Sequence, residues 1–476
     1  MRTFGEAVFV FFIAFVAVHT GLLVAAEIEL RRYSIRTKAI GLRQLVRSPL
    51  APSISILVPA YNESAGIADS IRSLLALDYP RTEIIVINDG STDDTIKHLI
   101  EAFDLHPVIR PTPPYLPHEP VRGVYLPASE LRLLVIDKEN GGKADSMNSG
   151  INFASSPLFC VIDADSILEQ DALVKTALPF IEDPIRTVAT GGLVRIANGC
   201  RVETGRVADA RLPQERLPMF QVVEYVRAFF AARTGWSAIG GLLIISGAFG
   251  IFRRDTVIAA GGYRLGIVGE DMELVIRLHR ICRRSKRRYR IVYVPDPVCW
   301  TEAPAHAKTL RRQRARWHRG LIEALLLHRG MMLNPRYGVV GLIALPSMLL
   351  FEALGPLIEL AGYGVSIVAL ISGVIAPLDV ALFLALAILY GQFLTLGSIA
   401  LEDATFNRYP AWGDLRRLLA YAFAESFGYR QMLHVWKLQG FWQLIRKAEW
   451  GEMERQGFAG SSPAGPSSAG PAGPAK

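Results

Sequence analysis

The chain has 476 residues, 51% of them hydrophobic, with a formal net charge of +8 and four cysteines, and its mean hydropathy is +0.27. That length allows more than one domain, and the hydropathy is high for a wholly soluble protein. Cys160, Cys200, Cys282 and Cys299 lie far apart without a CxxC pair. This excludes a cysteine-based zinc ribbon and a disulfide-dense scaffold and leaves reduced packing residues.

In chain order, residues 5–26 (GEAVFVFFIAFVAVHTGLLVAA) form an apolar run long enough to span a bilayer and too long for a signal-peptide core. Residues 1–30 are therefore predicted to hold a transmembrane helix. The Arg- and Lys-rich stretch 31–51 follows as a basic linker, and its charge marks the cytoplasmic side. Residues 52–320 carry the next strands: SISILVPA, EIIVIND at 83–89, LRLLVID at 131–137 and LFCVIDAD at 158–165. Strand, helix, strand in alternation predicts an α/β fold with a mixed, mainly parallel sheet. The proline-rich segment 104–129 reads as a surface insertion.

Residues 321–440 are predicted to form transmembrane and interfacial helices. Within 338–401 the only charges are Glu352, Glu359 and Asp379, which suits two or three crossings. Glu352 and Glu359 share a helical face and either line a polar path or sit near headgroups. Residues 414–436 span or lie flat. Residues 220–236 are amphipathic and aromatic, and either lie at the membrane interface or pack within the domain. The Gly/Pro/Ser/Ala-rich tail 459–476 is expected to be disordered.

Three predicted strands end in carboxylates: Asp89, Asp137, and Asp163 with Asp165. In open α/β sheets ligands bind beyond the carboxyl ends of the strands. Paired aspartates there suit Mg2+ or Mn2+, which take hard oxygen ligands and leave positions for phosphate. The alternative is a strand that simply surfaces. No GxGxxG follows the first strand and no GxxxxGK[ST] is present, which argues against a dinucleotide fold and a P-loop. Lys143, in GGKA, can meet a phosphate as a point charge.

VPAYNE at 58–63, NDGSTDDT at 88–95, GGKADSMN at 141–148, DAD at 163–165, GED at 269–271 and QRARW at 313–317 occur in this order. As an ordered set they resemble the membrane-embedded family 2 glycosyltransferases, the processive group that includes cellulose, hyaluronan, chitin and poly-N-acetylglucosamine synthases. The resemblance implies a cytosolic GT-A domain flanked by transmembrane helices, a UDP-sugar donor and a divalent cation. It implies that Ala60, Tyr61, Asn62, Glu63 and Asp89 hold the uridine, and that Lys143, Gln313 and Arg316 face the diphosphate. Asp165 matches the metal ligand, and Asp163 a ligand that also touches the nucleotide. Asp271 matches the general base, with Glu270 in support; both also suit a helix N-terminus, where the dipole favours acids. Ser246, Gly247 and Trp317 match the acceptor site. LRRQRARWHRG could alternatively be only a basic membrane-surface helix. Trp450, Gly451 and Arg455, in 441–458, occupy the place of a gating segment, although the order of residues departs from the family pattern.

The expected activity is inverting transfer from a UDP-sugar to a growing β-linked polysaccharide, secreted through the chain's own helices. The expected location is the inner membrane, multi-pass, with the catalytic domain in the cytoplasm. The expected partners are the UDP-sugar, the glycan or lipid acceptor and membrane lipids; a partner subunit or homo-oligomer is left open. The nearest alternative is a non-processive enzyme acting on a lipid acceptor. An inert scaffold conflicts with the intact motif set. Nucleic-acid binding is not expected, because the arginines cluster beside membrane segments and no recognition motif appears.

Overall fold

The computed structural model describes residues 2–39, 51–111, 113–130, 132–203, 205–409 and 411–445. The N-terminal apolar run is one helix, α1 (Arg2–Ala39), whose stretch Val8–Lys38 is long and apolar enough to cross a membrane. It does not end at residue 30. RRYSIRTKA continues it, since neither Gly nor Pro interrupts the basic stretch.

The next part is built on a ten-stranded mixed sheet. Its parallel centre holds β1 (Ile54–Ala60), β2 (Thr82–Asp89), β5 (Leu133–Lys138) and β6 (Leu158–Ile162). On one side, β3 (Leu105–Pro107) and β4 (Val121–Pro127) add antiparallel strands beyond β5. On the other, β11 (Phe249–Arg253) runs antiparallel between β6 and β8 (Thr187–Ile196). β12 (Arg290–Thr301) then pairs parallel with β8, and the short β7 (Ile167–Leu168) closes that edge. A separate hairpin joins β9 (Arg201–Glu203) to β10 (Arg206–Asp209).

The central strands are near-continuous apolar runs because helices cover both faces. Leu57, Ile85, Ile87, Ile136 and Val161 face one core, while Ile56, Val58, Val86, Val135 and Cys160 face the other. This alternation sets the register and so aims the strand ends at one edge. The covering helices include α2 (Ile67–Leu75), α3 (Thr95–Phe103), α4 (Lys143–Phe153) and α5 (Ala172–Glu182). After α6 (Arg216–Tyr225) the helical path continues through a π stretch to Ala238. Two more helices, α7 (Glu270–Arg284) and α8 (Ala307–Leu327), bring in the last motifs.

The proline-rich segment lies at the surface, with most of its described residues exposed, and is tied to the sheet. Its ends are β3 and β4, and its middle is pinned by Asn152, which accepts from the Leu116 N–H (3.0 Å) and donates to its carbonyl (2.8 Å). Prolines remove backbone donors, so one asparagine can satisfy the buried Leu116 backbone.

Past α8, the stretch Val340–Ala353 and the helix α9 (Gly355–Ile371) are together apolar enough to cross a membrane, but bend by 47°. Pro356 stands at the break. Helix α10 (Pro377–Phe406) is the second clear candidate span. Among the described residues neither α11 (Trp412–Ala424) nor α12 (Arg430–Ile445) is a candidate span; they are separated by a kink at Phe427–Gly428. Side-chain ion pairs tie the sheet domain to these helices: Arg195 with Glu402, Arg408 with Glu169, and Arg227 with Glu425. Residues 446–476, including the expected gating segment and tail, lie outside the described residues.

Candidate active site

The site begins where β2 ends. Asp89 is buried, with its carboxylate accepting from Lys138 Nζ (2.7 Å) and from the backbone N–H groups of Gly141 (3.0 Å) and Gly142 (2.8 Å). Lys138 in turn meets Asp145 at 2.6 Å. Asp89 therefore fixes the turn that leads into α4, and Gly142 makes that turn possible at φ +84°. The neighbouring loop is built the same way. Asn62 sits in the left-handed region at φ +56°, and its Oδ1 accepts from the Thr92 N–H at 2.8 Å. Asp93 accepts from the Ser64 N–H at 3.2 Å. The VPAYNE and NDGSTDDT loops thus brace each other and leave the Tyr61 ring 45% exposed at the rim.

The Asp163–Ala164–Asp165 turn leaves β6 beside Lys143. Lys143 Nζ bonds the Asp163 carboxylate and the Gly247 carbonyl (3.0 Å for the latter). Burial alone would lower the Lys143 pKa; Asp163, Glu270 and Asp271 together outweigh it and raise the value. Gly247 also donates its N–H to Asp271 Oδ2 at 3.2 Å, and Asp271 Oδ1 accepts from the Met272 N–H at 2.7 Å. A Cβ on Gly247 would lie 3.2 Å from Lys143 Nζ and 3.6 Å from Asp271 Oδ2, so the SGAFG loop touches both charged groups. Glu270, next to Asp271, is pushed up to about 7 by burial and then by the Asp271 charge.

Helix α8 carries Gln313, Arg316 and Trp317. It meets the start of α7 backbone to backbone: a Cβ on Gly269 would lie 2.7 Å from Gly320 O, and one on Gly320 would lie 2.8 Å from Gly269 N. Two glycines thereby bring the Asp271 turn and the QRARW motif together. Gln313 lines the cavity, and among the described residues its buried Oε1 has no hydrogen-bond partner. Arg314, the alternate residue of the motif, is structural: it is buried, bonds Glu224 at 2.9 Å and lies 4.6 Å from the Trp317 ring centre. Trp317 is 38% exposed, with Phe229 at 6.3 Å between ring centres.

Every candidate residue within the described part lines one continuous cavity. It runs from Tyr61 and Asp89 past the aspartates and Trp317, between the membrane helices, to Glu352, Glu359 and Tyr390. Its volume of about 3240 Å³ far exceeds the roughly 300–1,000 Å³ of an ordinary small-molecule pocket. Glu352 and Glu359 both face this space, against Lys437 (3.7 Å) and His434 (3.2 Å) of α12. Helix α6 and its extension bring Arg227, Phe229 and Arg233 to the same wall. Trp450, Gly451 and Arg455 fall outside the described residues.

Sequence reading missed Lys138, Gly320 and Arg233, and had Gly269 only as the first residue of GED, without its contact. Lys138 had a signal, a lysine closing an apolar strand before a double glycine. The glycine pair had none, because only the fold sets residues 269 and 320 against each other.

For a divalent ion, Asp163 and Asp165 offer hard carboxylate oxygens on the cavity wall. Among the described residues no three His, Cys, Asp or Glu side chains form a metal cage. That donor set fits an ion of the Mg2+ or Mn2+ type, which keeps open positions for diphosphate and water.

One family model, described as glycosyltransferase like family 2, matches residues 121–320, and a second, described as glycosyl transferase family 2, matches residues 55–113. The poly-beta-1,6-N-acetyl-D-glucosamine synthase of Staphylococcus aureus strain COL is 30% identical over 273 residues, 57% of this chain and 55% of the relative. The synthase of that name from Staphylococcus epidermidis is 29% identical over 297 residues, 62% and 61% of the two chains. The chain thus spans little more than half the length of these curated relatives. In fold it is similar to the mannosyltransferase PcManGT from Pyrobaculum calidifontis, solved with GDP-Man and Mn2+: TM-score 0.50, 17% identity, 91% of this chain and 99% of that one. The two family matches between them take in the braced loops, the aspartate turn, Asp271 and the QRARW helix, so residues 55–113 and 121–320 carry glycosyltransferase family 2 domains.

Proposed function

We propose that this chain transfers sugar from a UDP-sugar to the end of a growing β-linked polysaccharide, with inversion at the anomeric carbon, and passes the product between its own membrane helices. The observation that carries the reading is the single cavity that joins the aspartate turn to the membrane helices. A donor pocket alone would need no such extension.

Asp271 takes the proton of the acceptor hydroxyl as that oxygen bonds to the anomeric carbon. The bond from that carbon to the diphosphate oxygen breaks, and UDP leaves with the electron pair. The Gly247 and Met272 N–H groups hold the carboxylate in place. Glu270, neutral below about pH 7, keeps a second negative charge away from the base. Asp163 and Asp165 would hold the divalent ion, which supplies charge neutralisation at the diphosphate. Gln313 and Arg316 bind the same diphosphate, while Lys143 keeps Asp163 and the Gly247 loop in register. Trp317 offers a flat face to the acceptor sugar. Arg31, Arg32, Arg36 and Lys38, at the end of the first candidate span, support a cytoplasmic catalytic domain.

The test uses purified chain in liposomes with Mg2+ or Mn2+ and UDP-N-acetylglucosamine, UDP-glucose or UDP-glucuronate supplied separately. UDP release is recorded and the product is sized. The named relatives make N-acetylglucosamine the first donor to try. A long polymer from one donor, lost in Asp271→Asn, supports the reading; no UDP release from any donor removes it. A second reading, transfer of one sugar to a lipid, is favoured by the apolar membrane side of the cavity, where Phe12, Phe15 and Phe383 line the wall. A short, solvent-extractable product would select it.

A further inference from the structure

The last turn of helix α7 and the loop after it carry Arg283, Arg284, Lys286, Arg287 and Arg288, all exposed. Among the described residues none of these five forms an ion pair with a carboxylate. Arg284 reaches the Tyr337 hydroxyl at 3.4 Å and Arg287 the Ile185 carbonyl at 3.3 Å. Such a density of like charge repels itself unless anions neutralise it.

The loop lies against the chain just ahead of the membrane-directed segment. Arg336 donates to the Arg284 carbonyl at 3.5 Å, and Val340 then opens the bent apolar pair. The same stretch leaves apolar side chains in the open. Leu326 is 57%, Leu327 37% and Leu333 72% exposed, with the exposed Arg329 and Arg336 interspersed. Leu333 is more unusual still. It sits in the left-handed region at φ +54°, held by its N–H on the Gly341 carbonyl at 2.9 Å. Strain at a non-glycine residue persists where its surroundings impose it, and burial of this side chain within the protein is not the reason.

We propose that the 283–288 loop and residues 326–338 form a seat for acidic phospholipid headgroups, with Leu333 entering the acyl boundary of the bilayer that the neighbouring helices cross. Cations over headgroups with leucines below them is the arrangement of an interfacial membrane contact. Nucleic acid or an acidic soluble protein would match the charge and leave the leucines unexplained. Continuity with the Val340–Ala353 segment also places this surface beside lipid. The surface is separate from the sugar-transfer cavity: the loop cations and the exposed leucines are absent from the lining of that cavity.

The test uses the full chain in nanodiscs of phosphatidylcholine alone or mixed with phosphatidylglycerol. A fluorophore is placed at Leu333→Cys in a Cys200→Ser background, and headgroup-region nitroxide lipids act as quencher. The probe is expected to be quenched most in the acidic discs, with the difference removed by high salt. Phosphatidylglycerol carried through purification should fall at least about fivefold in the variant combining Arg283→Gln, Arg284→Gln, Lys286→Gln, Arg287→Gln and Arg288→Gln. Leu333→Gly suits the backbone and should melt no lower than the parent, yet should retain less of this lipid. The proposal is overturned if the probe is equally unquenched in both lipids, if the five-site variant retains lipid like the parent, or if only added nucleic acid or acidic protein shields the probe. UDP release is not read, so failure of the sugar-transfer reading leaves this result intact.

Discussion

The two ends of the cavity handle charge differently. At the sheet end, carboxylates stand on strand and helix termini: Asp89 takes Lys138 together with the Gly141 and Gly142 N–H groups, Asp163 takes Lys143, and Asp271 is held by the Gly247 and Met272 N–H groups. Toward the membrane end, glutamates meet side chains of other elements: Glu425 with Arg227, Glu359 with His434 and Glu352 with Lys437 on the cavity wall, and Glu402 with Arg195 behind it. Backbone amides orient a negative charge without cancelling it, which leaves Asp271 available for chemistry, while Lys138 and Lys143 offset Asp89 and Asp163. Side-chain pairs cancel the charge locally, which an apolar surrounding demands. On the proposed function, the first arrangement suits chemistry and the second suits passage of a neutral glycan.

The sharpest way to break the comparison is Asp271→Asn. The amide keeps the shape and the helix start but cannot take a proton. UDP release coupled to transfer should fall by about 10²–10⁴, while the melting temperature stays near the parent's. An unchanged rate would show that this carboxylate is only a helix-terminal acid.

At the membrane end the largest effect is on stability. Arg195 and Glu402 have side chains only 7% and 4% exposed, so removing one partner strands the other. Arg195→Met should cost about 3–5 kcal/mol, read as a lower midpoint in detergent. Pairing it with Glu402→Leu should recover most of that loss. If the double change melts like the single, the pair is not what docks α10 on β8.

Much of the sheet end was legible in the sequence because its determinants are local. An apolar run ending in Asp89 or in Asp163 and Asp165 declares the strand and the sheet edge at which these carboxylates gather. GGK declares a turn. What escaped depends on meetings across the fold: Gly269 against Gly320, Lys138 between Asp89 and Asp145, Arg195 against Glu402. The membrane end was legible in hydropathy alone. That signal marked α1 and α10 and did not show which partner each glutamate takes, because helix rotation is set by packing. The proline-rich segment makes a related point: its prolines mark a loop, and the folded chain shows how Asn152, Asn148 and Asp145 tie that loop down.

Glu270 gives a smaller effect with a definite pH signature. Its pKa is raised from 4.5 to about 7 on folding, so the folded chain keeps a proton that the unfolded chain releases. The stabilisation is whole below pH 4.5 and is lost as pH rises through about 7. Glu270→Gln should therefore match the parent's melting temperature near pH 5. It should exceed the parent above pH 7, by about 2 kcal/mol or less. Parallel melting curves of both proteins across pH would show instead that Lys143 and Arg316 outweigh burial and the Asp271 charge and leave Glu270 ionised throughout.

The smallest expected effect on stability separates a lining role from a structural one. Lys437 and Glu352 are 3.7 Å apart, with side chains 24% and 51% exposed to the cavity. An ion pair so open to solvent is worth about 0–1 kcal/mol, so Lys437→Gln should barely move the melting temperature. It does uncover a carboxylate on the path that the product is proposed to take. Product size should shift while single-turnover UDP release, set at the other end of the cavity, holds its rate. If product length is also unchanged, the membrane half of the cavity is not the glycan's route. The ion pairs there would then serve only to join α12 to the bent segment.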